Sequence, residues 1–319
     1  MDILYIVLIV IAALGGITLL TAYACFRRVF YSPARRPLKE DEYDVPIGPK
    51  YDVYHDQMVA WAKNKRALPC RELSVTSFDG LTLRGKYYEY KKDAPIEILF
   101  HGYKGNAERD LSGAIERCFS VGRSAVLVDQ RAAGASDGSV ISFGINESKD
   151  CLCWIYKIIE VFGADTEIVI GGVSMGAATV TMAAEKELPS NVKYAVADCP
   201  YTTPEDIIKK SIREMKLPAR IVYPLVKLGA RLFGHFSLSE NSPLAAVSNS
   251  RIPIIFFHGY DDDFVPHEMS ERLFEKCTNR KKLVIIKGAA HGLAFPADKD
   301  GYVFAIKEFE DQISVFQHQ

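Results

Sequence analysis

A serine flanked by small residues, Gly172-Val173-Ser174-Met175-Gly176, stands between an apolar run and an amphipathic one. A hydroxyl of ordinary pKa is a weak nucleophile and needs a base beside it. A sharp strand-to-helix turn holds such a hydroxyl out of the backbone, and the flanking glycines relieve the crowding at the turn. The helix that follows aims backbone N–H groups and its positive dipole end at the same point. The chemistry that this spacing predicts is acyl transfer through a serine intermediate. Such a five-residue pattern also arises by chance, so the elements around it decide.

Those elements alternate. Short apolar runs predict strands at 73–78, 81–88, 96–100, 125–129, 168–172, 192–197, 254–258 and 283–287. An Asp79-Gly80 turn joins the first two as a hairpin. The later runs are almost continuously apolar, as expected of parallel strands buried on both faces. Amphipathic stretches predict helices at 107–121, 146–162, 175–188, 267–277 and 301–315. The alternation argues for an eight-stranded, mostly parallel sheet flanked by helices. Residues 201–249 interrupt it with amphipathic pieces broken by Pro204, Pro218, Pro224 and Pro243, and are expected to form a helical lid.

Residues 3–26 carry no charge and as a helix would span about 36 Å, enough for a bilayer core. Arg27, Arg28, Arg35, Arg36 and Lys39 follow, which predicts a single span with the remainder cytoplasmic. The alternative is secretion after cleavage at Ala22-Tyr23-Ala24, but Met1-Asp2 supplies no positive leader. Residues 1–30 are thus expected to be an anchor and 31–66 a linker with a helical segment. The α/β core is expected at 67–200 and 250–319, with the lid at 201–249.

The chain has 319 residues, 48% hydrophobic and 25% charged, with a formal net charge of −1. That balance leaves no electrostatic footprint for nucleic acid. The seven cysteines are scattered without a CxxC pair, and no P-loop, HExxH or EF-hand spacing occurs, so no metal or cofactor is expected. Cys25 could accept a lipid, but a bystander thiol is the preferred reading.

Further stretches resemble the α/β-hydrolase family at ordered positions. His101-Gly102-Tyr103-Lys104-Gly105-Asn106 is similar to its loop after the third strand, and Asp129-Gln130-Arg131-Ala132-Ala133-Gly134-Ala135-Ser136 to the stretch after the fourth. Ala132 departs where glycine is usual. His258-Gly259-Tyr260-Asp261-Asp262-Asp263-Phe264-Val265-Pro266 resembles the segment that carries the acid, and Ala290-His291-Gly292 the loop that carries the histidine. The resemblance covers roughly 70–315 and looks closest to lipase/esterase-like and serine-aminopeptidase-like members.

It implies a triad of Ser174 as nucleophile, His291 as base and Asp262 as the acid that orients it. Asp261, Asp263 and Asp198 are the rival acids. The oxyanion donors implied are the backbone N–H groups of Met175 and Tyr103. His101 and His258 are expected to be structural, and Asp129 with Arg131 to form a paired charge near the site. The activity expected is cleavage of an ester or thioester by a serine hydrolase. The apolar lid residues Ile221, Val222, Leu225, Val226, Leu228, Leu232 and Phe233 suggest a hydrophobic acyl substrate. An aminopeptidase would need an acid for the free amine, and Glu205, Asp206 and Glu214 are available in the lid. A reading from another class is a silent scaffold of the same fold, though no triad member is missing. Oligomeric state is not readable.

Overall fold

The computed structural model describes residues 3–33 and 42–314. Arg35, Arg36 and Lys39, part of the charge argument above, lie outside them. Eight strands form one sheet: β1 (Arg71–Thr76), β2 (Thr82–Tyr88), β3 (Ile96–Phe100), β4 (Ser124–Asp129), β5 (Ile168–Val173), β6 (Val192–Asp198), β7 (Ile254–Gly259) and β8 (Lys281–Ile286). Their order is β1-β2-β4-β3-β5-β6-β7-β8. The β1–β2 and β2–β4 pairs are antiparallel and every later pair is parallel.

The helices are α1 (Ile3–Val29), α2 (His55–Ala67), α3 (Ala107–Asp110), α4 (Ala114–Ser120), α5 (Glu147–Phe162) and α6 (Met175–Ala183), followed by α7 (Pro204–Glu214), α8 (Ala219–Phe233), α9 (Pro243–Val247), α10 (Glu268–Lys276), α11 (Ala294–Ala297) and α12 (Lys299–Ser314). Alternate residues of the sheet serve two cores. Ile98, Phe100, Ile170 and Phe256 pack with Trp154 and Ile155 of α5 on one face. Val196, Ile255 and Phe257 pack with Tyr302, Ile306 and Phe309 of α12 on the other.

The expected helix 107–121 is two helices. Leu111 to Gly113 separate them, and the Trp61 indole occupies the space that a Cβ on Gly113 would need. The helix expected at 175–188 stops at Ala183. Residues 201–249 do form helices, and Thr203 and Ser242 cap two of them by accepting from Asp206 and Ala245 N–H groups.

The last turns of α1 are folded into this body. Ala22, Phe26 and Phe30 are buried, and Gly229 of α8 crosses at Ala22. A Cβ on Gly229 would fall 2.5 Å from the Ala22 carbonyl oxygen, so only glycine permits the approach. The preceding turns of α1 are exposed on every side.

Candidate active site

Ser174 sits at the turn from β5 to α6 with φ +56°, a left-handed conformation that costs a non-glycine residue on the order of 1–3 kcal/mol. Its N–H donates to the Asp198 carbonyl at 2.8 Å, tying the turn to β6. Gly172 and Gly176 make the turn possible, since a Cβ on either would run into neighbouring backbone. The serine side chain is nearly buried, at 6% exposure.

His291 reaches it from the loop after β8. Its Nε2 lies 3.0 Å from Ser174 Oγ and its Nδ1 lies 2.7 Å from Asp262 Oδ2. Asp262 faces the imidazole, whereas Asp261 and Asp263 are exposed. Asp263 instead pairs with Lys50 at 2.8 Å. Asp198, the more distant rival acid, accepts from the Tyr302 hydroxyl at 3.2 Å. Burial pushes its carboxyl up to about 6, although His258 and Arg117 pull it down.

The turn that carries Asp262 is fixed from several sides. Oδ1 accepts the N–H groups of Phe264 and Val265 at 3.0 and 2.8 Å. Fully buried His258 lies 3.2 Å from Oδ2, within 2.8 Å of the Val265 carbonyl and 2.6 Å from the Ser270 hydroxyl. Burial alone would raise the Asp262 carboxyl, but hydrogen bonds from His258 and His291 outweigh it and hold the group well below the usual carboxylate range. The acid therefore stays ionised at any pH where the imidazole works.

Met175 N–H and Tyr103 N–H have no acceptor among the described residues. The loop between them is well supported. Gly102 N–H donates to Asp110 Oδ2 at 3.0 Å, and His101 is wedged below, with Nε2 accepting from Gln130 N–H at 3.0 Å. His101 and His258 thus both brace loops, and neither touches Ser174.

Other side chains are placed differently from their expected positions. Arg131 does not pair with Asp129. Its guanidinium holds Asp150 at 2.7 and 2.8 Å and Asp79 at 2.9 and 3.1 Å. Asp129 accepts the N–H groups of Ala107 and Ala135, each at 2.9 Å. The turn between them puts Ala132 at φ +60°, the left-handed conformation for which glycine is the usual residue.

A cavity of about 200 Å³ opens at Ser174 and His291. Leu99, Leu111, Met58, Trp61, Phe295 and Tyr302 give it a largely apolar wall. No residue of 201–249 is among its lining. The candidate amine-binding acids of that insertion lie elsewhere: Glu205 pairs with Lys209 and Glu214 with Lys210, while Asp206 accepts from Thr202 at 2.6 Å.

The end of the expected linker and the start of the expected helical segment border the site instead. Tyr51 lines the cavity and donates its hydroxyl to the His291 carbonyl at 3.0 Å, and Lys50 donates to the Asp261 carbonyl at 2.9 Å. The helix expected in this stretch is α2, and it buries Met58, Trp61 and Ala62. Cys199 was missed. It lies with Asp262 and His291 in one group whose ligand-type atoms fall within 4.8 Å of one another. Two of those side chains already bond each other, and burial pushes the Cys199 thiol up, so this group is poorly suited to a metal.

The profile of the Prolyl oligopeptidase family matches residues 142–314, more than half of the chain and the part that carries Ser174, Asp262 and His291. The chain belongs to this family. It is an α/β hydrolase. The uncharacterized protein YqkD of Bacillus subtilis is 28% identical over 246 residues, covering 75% of this chain and 79% of that protein. The mitochondrial palmitoyl-protein thioesterase ABHD10 of Bos taurus is 25% identical over 253 residues, covering 73% and 78%. Among solved structures, the Pyrococcus furiosus esterase Pf2001 superposes with a TM-score of 0.64 at 20% identity, over 86% of this chain and 99% of that one. Est1E of Butyrivibrio proteoclasticus gives 0.54 at 18%, over 76% and 99%.

Proposed function

We propose that this hydrolase cleaves a carboxylic ester or thioester through an acyl-enzyme on Ser174. The observation that carries the reading is the continuous chain from Ser174 Oγ to His291 Nε2 and from His291 Nδ1 to Asp262, at 3.0 and 2.7 Å. As Ser174 Oγ attacks the acyl carbonyl, its proton passes to His291 Nε2. The imidazolium that forms is stabilised by ionised Asp262. The carbonyl oxygen becomes an oxyanion facing the N–H groups of Met175 and Tyr103, each worth on the order of 3 kcal/mol in such a role. His291 then gives the proton to the departing alcohol or thiol, and water repeats the sequence to free the acid.

The apolar cavity wall favours a hydrophobic acyl group, and the thioesterase and esterase relatives support the same bond class. Peptide-bond cleavage is the second reading, favoured by the family match. Against an aminopeptidase, Asp110 in the cavity already accepts from Gly102 N–H and sits 3.8 Å from Arg109. We also read α1 as a retained membrane anchor with the folded body in the cytoplasm. Ala22 and Phe26 pack under α8, so cleavage at Ala22-Tyr23-Ala24 would remove part of a packed contact.

A fluorophosphonate probe should label the purified chain, and Ser174→Ala should abolish the label. An unlabelled, folded wild-type chain would instead support a binding scaffold. Turnover compared across acyl esters, acyl thioesters and aminoacyl amides separates the two bond classes, and the ester reading fails if only amides are cleaved.

A further inference from the structure

Helix α8 carries three different stripes. Ala219, Tyr223, Val226 and Ala230 are buried against the body of the protein. Ile221, Leu225, Leu228 and Leu232 form a second stripe at helical spacing, with Ile221 66% exposed, Leu232 42% exposed and the two between them half-buried. Arg220, Lys227 and Arg231 form a third stripe beside it, all exposed. Just before the helix, Arg213 and Lys216 stand with exposed Met215 and Leu217, while Glu214 among them pairs with Lys210. None of these five cations has an acidic partner among the described residues, although the nearby Lys209 and Lys210 do. A cationic stripe beside an apolar one is the pattern of a helix lying in the interface of an anionic bilayer.

The fold fixes where this face stands. Helix α8 crosses α1 at Ala22 and Phe26, and Phe233 packs on Tyr23 and Phe26 with ring centroids 5.1 and 5.9 Å apart. That crossing lies within about two turns of Arg27 and Arg28, the basic end of the apolar helix. A helix that crosses a membrane span at its basic end lies at the depth of the headgroups. We propose that the α7–α8 insertion is a membrane-docking surface. Ile221, Leu225, Leu228 and Leu232 enter the boundary between headgroups and acyl chains, and Arg220, Lys227 and Arg231 meet anionic headgroups. The body would then be held by two contacts, the span and the insertion, which fixes its orientation on the bilayer. The proposal rests on the reading of α1 as an anchor, and the experiment separates the two.

Tryptophan is introduced singly into the full-length chain at Ile11, Ile221, Leu232 and Tyr156. Each variant is reconstituted in phosphatidylglycerol vesicles with or without brominated acyl chains, which quench tryptophan on contact. Trp61 and Trp154 give a constant background. The added fluorescence at positions 221 and 232 is expected to fall about twofold or more, as at position 11, with none lost at exposed position 156. Quenching at 11 with 221 and 232 behaving like 156 overturns the docking surface while leaving the anchor intact. No quenching at 11 removes the anchor reading, and the proposal with it. Reversing Arg220, Lys227 and Arg231 to glutamate should abolish most quenching at 221 but not at 11. Unchanged quenching at 221 in that variant overturns the assignment to anionic lipid.

Discussion

The Tyr103 hydroxyl donates to the Val29 carbonyl at 2.6 Å, joining the candidate oxyanion loop to the end of the apolar helix. Lys104, at φ +53°, donates to the neighbouring Arg28 carbonyl at 2.8 Å. The last carbonyls of a helix have no partner within it, and two residues of the loop satisfy two of them here. Burial pushes the Tyr103 hydroxyl up to about 12, so it remains a donor across the working range. Tyr103→Phe removes the link but keeps the ring against Phe143, whose centroid lies 5.0 Å away. The expected result is a fall in kcat of roughly fivefold, the worth of one hydrogen bond, with KM little changed. Steady-state kinetics test it. A change confined to KM would place the residue in substrate binding.

Strain at Ser174 gives a second prediction. Ser174→Ala should lower ester turnover about 10⁵–10⁶-fold. Ser174→Gly should be equally inactive yet melt about 2–4 °C higher than Ser174→Ala, because glycine tolerates φ +56°. Paired melting curves decide the matter, and equal midpoints would show that the turn stores no strain.

The acid turn offers a comparison among three adjacent carboxylates. Asp262→Asn should reduce kcat by about 10⁴ through loss of the imidazolium partner and the correct tautomer. Asp261→Asn should change it little. Asp263→Asn breaks only an exposed pair with Lys50, worth about 1 kcal/mol or less of stability. Comparable losses at position 261 would shift the assignment by one residue.

Asp198 predicts a pH dependence. Its folded pKa, about 6, lies above the ordinary carboxyl value, so the folded state holds a proton that the unfolded state releases. The resulting stability is fully present below about pH 4 and is lost as pH rises through about 6, up to about 3 kcal/mol in all. Asp198→Asn should flatten the wild-type loss between those values. Denaturant titrations at pH 4, 5, 6 and 7 measure it, and parallel curves for the two proteins would overturn it.

Strands such as β7 are readable because a parallel strand buried on both faces has to be apolar throughout, as Ile254 to Phe257 are. The candidate triad is readable through the resemblance of the loops that carry it, each of which follows the end of a strand, and the strand order brings those ends together. What escapes the sequence depends on distant contacts. The break between α3 and α4 contains no proline, and its Gly113 packs against Trp61 from a distant segment. Charged Lys281 and Lys282 conceal the start of β8, which pairs on one side only, as an edge strand can. Asp129 and Arg131 are neighbours along the chain, but the reversed backbone at Ala132 and the pull of Asp150 and Asp79 send the arginine elsewhere. The cavity wall made by Tyr51 and Trp61 joins segments that no local pattern connects.

The Gly229–Ala22 crossing also constrains how the protein is made. The apolar helix leaves the ribosome first, and the glycine that receives it follows about 200 residues later. At roughly 5–20 residues per second, that interval is on the order of 10–40 s, during which the cradle for Ala22 does not yet exist. Chain closure therefore has to wait for the late segment, and arrest of translation before residue 229 would leave α1 without the glycine that clasps it.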